Sequence, residues 1–365
     1  LRNYKVDGQF GLEKTYQDYI ANTVKVFETF KPKLKDTATI WWNVGDSYSN
    51  HKDCKSIGQT LTKGTSREKA HVIEKGKSHT RDSKLLKASG LKDKDLMMIP
   101  NRVAIALQDA GWYIRSEIIW HKPNPMPESV KDRPTSCHEK IWLITKNKKY
   151  YYDHNSIKEP VVTSVNTKSG CKFGGNKTTK ELNPTISGKK WEYSSTRNKR
   201  NVWTVTTKPF RGAHFAVFPQ DLIEPCIKAG SSEHGCCSKC GNPYIRITKK
   251  GDYNLKHQIA SGGDKDGKYY GKSKKDYSSA KAQDASETKK RILESMKEVI
   301  QVGWEATCKC NAGIKKSVIL DPFGGSGTTG LVASELNRSC IMIELNSKYI
   351  SIMKKRLEKN KNLFN

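Results

Sequence analysis

The chain has 365 residues, with 66 Lys and Arg against 37 Asp and Glu, a formal net charge of +29. That length holds one large domain, or one domain with inserts, around a sizeable core. No apolar run approaches the roughly eighteen residues of a membrane span and no signal peptide opens the chain, which excludes a membrane role and leads us to expect a cytoplasmic protein.

The positive excess points to a polyanion, most simply nucleic acid, because Lys and Arg contacts to phosphates release counterions. A solvated Lys-rich surface is the alternative reading of charge alone. Ten cysteines in a reducing compartment read as thiols or metal ligands, not disulfides.

Residues 1–11 are polar and turn-like. From 12 to 34, Tyr16, Ile20, Val24, Phe27 and Phe30 recur every three or four residues and predict a core-facing helix. TATIWWNV (37–44) predicts a strand ending in the polar tip Gly45-Asp46-Ser47. Residues 50–94 are rich in Lys, Ser, Thr and Gly without periodicity, the composition of a long loop or basic insert. A helix follows from Pro100, then a strand over 114–120 and the loop His121-Lys122-Pro123-Asn124-Pro125-Met126-Pro127. Its three prolines forbid a helix and make a stiff rim at a strand end, where open α/β sheets bind ligands.

KIWLIT (140–145) predicts another strand. The adjacent His138 and Glu139 would point to opposite faces there, which favours local structural roles over a shared metal. Residues 160–211 are basic, with Phe173, Trp191, Tyr193, Trp203 and Phe210 interleaved, a pattern suited to a nucleic-acid surface. Arg197, Lys199 and Arg200 are candidate contacts there, or simply a solvated charge cluster.

Cys237-x-x-Cys240, followed by Gly241, and Cys308-x-Cys310 supply two chelating pairs. Four thiolates suit tetrahedral zinc, which would staple the base of an insert, although the neighbouring Cys236 leaves the ligand choice open. Residues 249–298 between the pairs are rich in Lys, Ser, Gly and Asp.

The densest motif comes near the end. SVIL (317–320) predicts a strand, DPFGGSGTTG (321–330) a glycine loop, 331–336 the start of a helix, and SCIMI (339–343) a second strand ending at Glu344. Strand, glycine loop, helix, strand and acid within about thirty residues is the βαβ unit that holds a nucleoside-containing cofactor. The glycines allow close backbone approach, the helix N-terminus favours an anion, and Glu344 can accept from both ribose hydroxyls. Too little chain follows to complete a sheet, so the remaining strands come from upstream and the fold is expected to be permuted. The absence of Gly-Lys-Ser/Thr argues against a nucleoside-triphosphate P-loop.

DPFGGSGTTG followed by CIMIELN resembles the S-adenosylmethionine site of the DNA amino-methyltransferases, in the permuted class that carries this motif near the C-terminus. TIWWNVGDSY, the segment GWYIRSEIIWHKPNPMPESVKDRPTSCHEKIWLITK and GAHFAVFPQDLIEPCIKAG match in the order of that class. The resemblance implies an α/β, Rossmann-like, circularly permuted sheet with an inserted DNA-recognition region, to which the cysteine pairs add an expected small zinc-binding insert. It places a catalytic half over 1–150, a target recognition region over 151–211, a cofactor half over 212–235 and 311–365, and a Cys- and Lys-rich insert over 236–310. It further implies that Asp321, Phe323, Gly324, Gly325, Ser326, Gly327 and Thr328 line the S-adenosylmethionine site. Glu344 would hold the ribose, and Phe218 and Pro219 would flank the pocket.

The family holds its target amine with an Asp/Asn/Ser-Pro-Pro-aromatic motif, yet this chain has no Pro-Pro pair. In the permuted class that motif immediately precedes a stretch like LRNYKVDGQFGLE, so the chain is expected to begin just after it, leaving the catalytic residues unnamed. The resemblance implies methyl transfer to N4 of cytosine or N6 of adenine in double-stranded DNA, with a cognate restriction endonuclease as a candidate partner. The rival readings are an RNA methyltransferase and a zinc-containing DNA-binding protein on an inactive scaffold.

Overall fold

A computed structural model describes residue 6 and residues 8–49, 90–160, 196–208, 217–250 and 299–361. The expected basic insert up to residue 89, most of the recognition region and residues 251–298 lie outside these described residues.

Helix α1 (Tyr16–Phe30) starts where Thr15 accepts the Asp18 amide, and Asp18 also suits the positive N-terminus. Its most buried side chains are Tyr19, Thr23 and Phe27. Of the expected stripe, Phe27 is fully buried and Ile20, Val24 and Phe30 pack against the same core, while Tyr19 and Thr23 widen it; Thr23 tolerates burial because its hydroxyl donates to Tyr19 O at 2.8 Å. Strand β1 (Thr39–Val44) follows. Helix α2 (Ile99–Asp109) has Pro100 in its first turn, where no amide partner is lost.

Strands β2 (Tyr113–His121) and β3 (His138–Thr145) are antiparallel neighbours, and β1 pairs antiparallel with the other edge of β3. The short β4 (Glu159–Pro160) and β5 (Thr196–Arg197) pair with each other, and β6 (Val202–Thr204) runs parallel to β2. The main sheet order is β1-β3-β2-β6, so β1, β2 and β6 run parallel and release their loops at one edge.

Alternation along β3 sorts the core into two layers. Trp142 and Ile144 face α1 and α2, joining Phe27, Val103 and Leu107. Ile141 and Leu143 face the other way, against Trp203 and helix α3 (Gln220–Gly230) through Leu222 and Cys226. Burial on both faces explains why IWLI (141–144) reads as a continuous apolar run.

After α3 come β7 (Cys236–Cys237), β8 (Tyr244–Lys250), β9 (Val299–Ala306) and β10 (Ile314–Lys315), then β11 (Val318–Asp321), helix α4 (Thr328–Glu335), β12 (Ser339–Met342) and helix α5 (Ser347–Lys361). Parallel pairing of β11 with β12 across α4 gives the βαβ unit expected from the glycine motif. The helix begins at Thr328, earlier than the apolar pattern alone suggests. Ile227 of α3 packs on Val332 and Ala333 of α4.

The chain divides into two compact units. One comprises Leu1–Ser156, Arg200–Tyr244 and Ala306–Asn365; the other comprises Ile157–Lys199 and Ile245–Glu305. The four zinc-candidate cysteines and the glycine loop all belong to the first. In the second, the β8–β9 pair carries Arg246 stacked on Trp304, and Arg197 of β5 is paired with Glu159.

Candidate functional site

The glycine loop leaves β11 at Asp321 and is folded by its own polar groups. One Asp321 oxygen accepts the Phe323 amide at 3.0 Å and the other accepts the Thr329 hydroxyl, so this carboxylate ties the start of the loop to the first turn of α4. Gly325 and Gly327 take φ of 51° and 80°, left-handed values that cost other residues strain. Gly324 N donates to Ile343 O at 2.8 Å, which anchors the loop to the strand end that carries Glu344.

Glu344 closes the arrangement. Its Oε2 accepts the Gly325 amide at 2.7 Å and its Oε1 accepts the Asn346 amide at 2.8 Å. An ionised carboxylate has further lone pairs, so these two bonds orient it while leaving capacity for hydroxyl donors. Ser326, Thr328 and Thr329 are buried, whereas Phe323 is 45% exposed. Its ring lies 5.8 Å from Phe10 and 5.9 Å, edge-on, from Trp42.

The structure thus brings together Asp321, Phe323, Gly324, Gly325, Ser326, Gly327, Thr328 and Glu344. Phe218 packs instead on the Ile118–Trp203 layer, and Pro219 caps the start of α3. Their link to the loop is the packing of α3 on α4. Phe10, Trp42, Met353 and Arg356 were missed by the sequence reasoning. Phe10 lies in a polar, turn-like stretch, Trp42 reads only as part of a strand, and the two α5 residues lie beyond the glycine motif. A Cβ on Gly327 would lie 2.6 Å from Met353 Cγ, which shows how closely α5 covers the loop.

The rim at the main sheet edge is equally determined. Asn124 donates to Thr207 O at 3.2 Å and accepts the Thr207 amide at 3.1 Å, a side chain imitating strand pairing. Arg133 pairs with Glu128 and stacks 3.7 Å over Tyr48. Glu139 forms an ion pair with Lys122, the local structural role expected of it.

The four cysteines converge independently of the loop. The sulfurs of Cys237, Cys240, Cys308 and Cys310 lie within 4.8 Å of one another. Tetrahedral zinc with roughly 2.3 Å bonds places its sulfurs about 3.8 Å apart, a spacing that falls within this limit. Each pair ends in a left-handed residue, Gly241 at φ 74° and Asn311 at φ 45°, which turns the chain tightly after the second ligand.

The close sulfurs shift one another's titration in opposite directions. Backbone donors at Cys240 pull the Cys237 thiol down to about 6, whereas hydrogen bonds to Cys240 and Cys308 push Cys310 up to about 12. Four thiolates cannot coexist at this distance without a positive centre. Lys35 Nζ reaches Cys240 O at 2.9 Å and Lys315 Nζ reaches Ser238 O at 3.0 Å, adding peripheral positive charge. Cys236 is next to Cys237 on a strand, and its sulfur is turned toward Lys316 O at 3.7 Å, outside the group of four converging sulfurs.

A family model described as DNA methylase matches residues 3–238 and 305–355. The type II methyltransferase M.SmaI of Serratia marcescens is 33% identical over 357 residues, spanning 98% of this chain and 80% of that one. The chain belongs to the N6/N4 DNA methylase family. Its activity is accordingly S-adenosylmethionine-dependent amino-methylation of DNA. A second relative of this methylase, the type II methyltransferase M.XycI of Xanthomonas campestris pv. cyanopsidis, is 32% identical over 98% of this chain and 77% of its own. Among solved structures, the PvuII DNA methyltransferase (cytosine-N4-specific) covers 100% of the methylase and 82% of its own chain, at 13% identity and a TM-score of 0.47.

Proposed function

We propose that the methylase is the modification enzyme of a restriction-modification system, acting on N4 of cytosine or N6 of adenine within a specific duplex sequence. The observation that carries this reading is the loop closed between Asp321 and Glu344, in a chain matching type II methyltransferases over nearly its whole length. S-adenosylmethionine, when bound, supplies an electrophilic sulfonium methyl group. Glu344 would hold the ribose hydroxyls, Phe323 would cover the adenine, and the start of α4 would receive the amino-acid end, with Phe218 and Pro219 supporting the site indirectly through the packing of α3 on α4.

Exocyclic amines are weak nucleophiles because their lone pair is delocalised into the ring, so catalysis rests on holding the amine in line with the methyl group. The base must leave the duplex stack to reach it. The rim formed by Gly45–Ser49 and the 121–137 loop is positioned to shape that passage, with Asn124 locking the loop to Thr207. The sheet is read as circularly permuted, because the cofactor loop follows the β1-β3-β2 strands in sequence. The Cys237, Cys240, Cys308 and Cys310 cluster is read as a structural zinc site with no part in methyl transfer. A cytoplasmic location and a cognate endonuclease complete the proposal; among the described residues no helix is long and apolar enough to cross a membrane.

The test is transfer from labelled S-adenosylmethionine to duplex DNA by the full natural protein, with mass analysis of the nucleosides. N4-methylcytosine or N6-methyladenine in one sequence context supports the proposal. Methylation of RNA alone, or cofactor binding without any product, would overturn it.

A further inference from the structure

The glycine loop carries a cation that comes from outside the βαβ unit. Arg356, in the middle of α5, directs Nη1 to Thr328 Oγ1 at 2.9 Å and to Ser326 O and Oγ, each at 3.3 Å. These acceptors are neutral. They also sit at the first turn of α4, where unpaired amides already concentrate partial positive charge and no acidic residue occurs. Burial of the guanidinium lowers its pKa, while Glu335 opposes that effect.

Two positive features converging on one turn favour an anion. Hydrogen bonding adds direction. A hydroxyl has one proton and two lone pairs, and a guanidinium occupying a lone pair leaves the proton to be given elsewhere. Ser326 and Thr328 are thereby oriented as donors. S-adenosylmethionine carries a sulfonium, an ammonium and a single anionic group, its carboxylate.

We infer that Arg356 is a positioning residue for the cofactor carboxylate, acting through the Ser326 and Thr328 hydroxyls that it orients at the start of α4. The inference rests on the reading that the glycine loop holds S-adenosylmethionine. It makes α5 part of the binding site, and it assigns the loop's preference for the amino-acid end of the cofactor to a residue about thirty positions beyond the glycines.

The test is a cycle between protein and ligand, read by calorimetry. S-adenosylhomocysteine retains the carboxylate, and methylthioadenosine lacks the whole amino-acid end. Arg356→Met is expected to weaken S-adenosylhomocysteine by about 10- to 100-fold, the range for charge-assisted hydrogen bonds, and methylthioadenosine by less than about 3-fold. Arg356→Lys, which keeps the charge, should recover part of the loss. Equal losses for both ligands would assign Arg356 a scaffold role and overturn the inference, as would no loss, or a wild-type protein that binds the two ligands equally. If the wild type binds S-adenosylmethionine, failure falls on Arg356 alone; if it binds neither that nor its product, the cofactor reading itself fails.

Discussion

Replacing Gly327 by Ala probes the glycine loop at the point where conformation and packing both resist a side chain. With φ at 80°, an L-residue pays roughly 1–2 kcal/mol for the left-handed conformation. The added Cβ would also lie 2.6 Å from Met353 Cγ and 3.3 Å from Met353 Cβ, atoms near the backbone that cannot swing aside. Overpacking of this kind adds about 1–3 kcal/mol. The total of about 2–5 kcal/mol should appear as a lower urea midpoint, or as cofactor affinity weakened by about 30-fold or more if the loop opens instead. Gly325→Ala is the internal control. Its φ is 51°, but its nearest neighbour would be 3.8 Å away, so only the conformational part should remain. In a Met353→Ala background the cost of Gly327→Ala should shrink toward that of Gly325→Ala. Wild-type stability and affinity in Gly327→Ala, or identical costs for the two glycines, would refute this reasoning.

The purified methylase should carry one zinc per chain by elemental analysis, and Cys237→Ser or Cys308→Ser should lose it together with several degrees of melting temperature. Glu344→Gln should reduce S-adenosylmethionine affinity by about 10-fold or more in calorimetry, since the ring of charge-assisted bonds at Gly325 and the ribose is weakened. Asn124→Ala should raise the KM for DNA by about 3- to 10-fold and leave cofactor affinity unchanged, because it frees the rim loop from Thr207 without touching the glycine loop. The hydrogen bond from Lys94 holds the Asp132 carboxyl below its ordinary 3.8. A depressed folded value contributes stability above 3.8 that is lost as pH falls through the folded value, so NMR should show Asp132 titrating lower in the wild type than in Lys94→Met, with no stability change between about pH 5 and 8.

The cofactor unit was legible because its information is local. Asp321, the glycines, and Glu344 lie within one βαβ segment, and their spacing alone fixes which groups meet. The β-branched and aromatic runs at 37–44 and 140–145 likewise announced strands, since their apolar centres at 40–42 and 141–144 suit strands covered on both faces. What could not be read was contact between distant segments. Phe10, Trp42 and Arg356 meet the loop through packing whose register depends on the assembled sheet, and nothing in their neighbours marks them. The cysteine pairs lay between these extremes: spacing picked out the four cysteines whose sulfurs converge, while the β7–β10 pairing, Ile314 opposite Cys237 and Lys315 opposite Cys236, sets Cys236 apart from them.

The paired knuckles also have a consequence for how this protein can diversify. The family match breaks off at residue 238 and resumes at 305, almost at the cysteines themselves. Thr307 donates to Pro243 O at 2.7 Å, so the chain departs and returns side by side. A clamp that fixes both ends of an excursion makes its length nearly irrelevant to the rest of the molecule: each doubling of a loop costs only about 0.6 kcal/mol in closure entropy. Segments of different length can therefore be exchanged between the two cysteine pairs at little closure cost to the chain on either side of them.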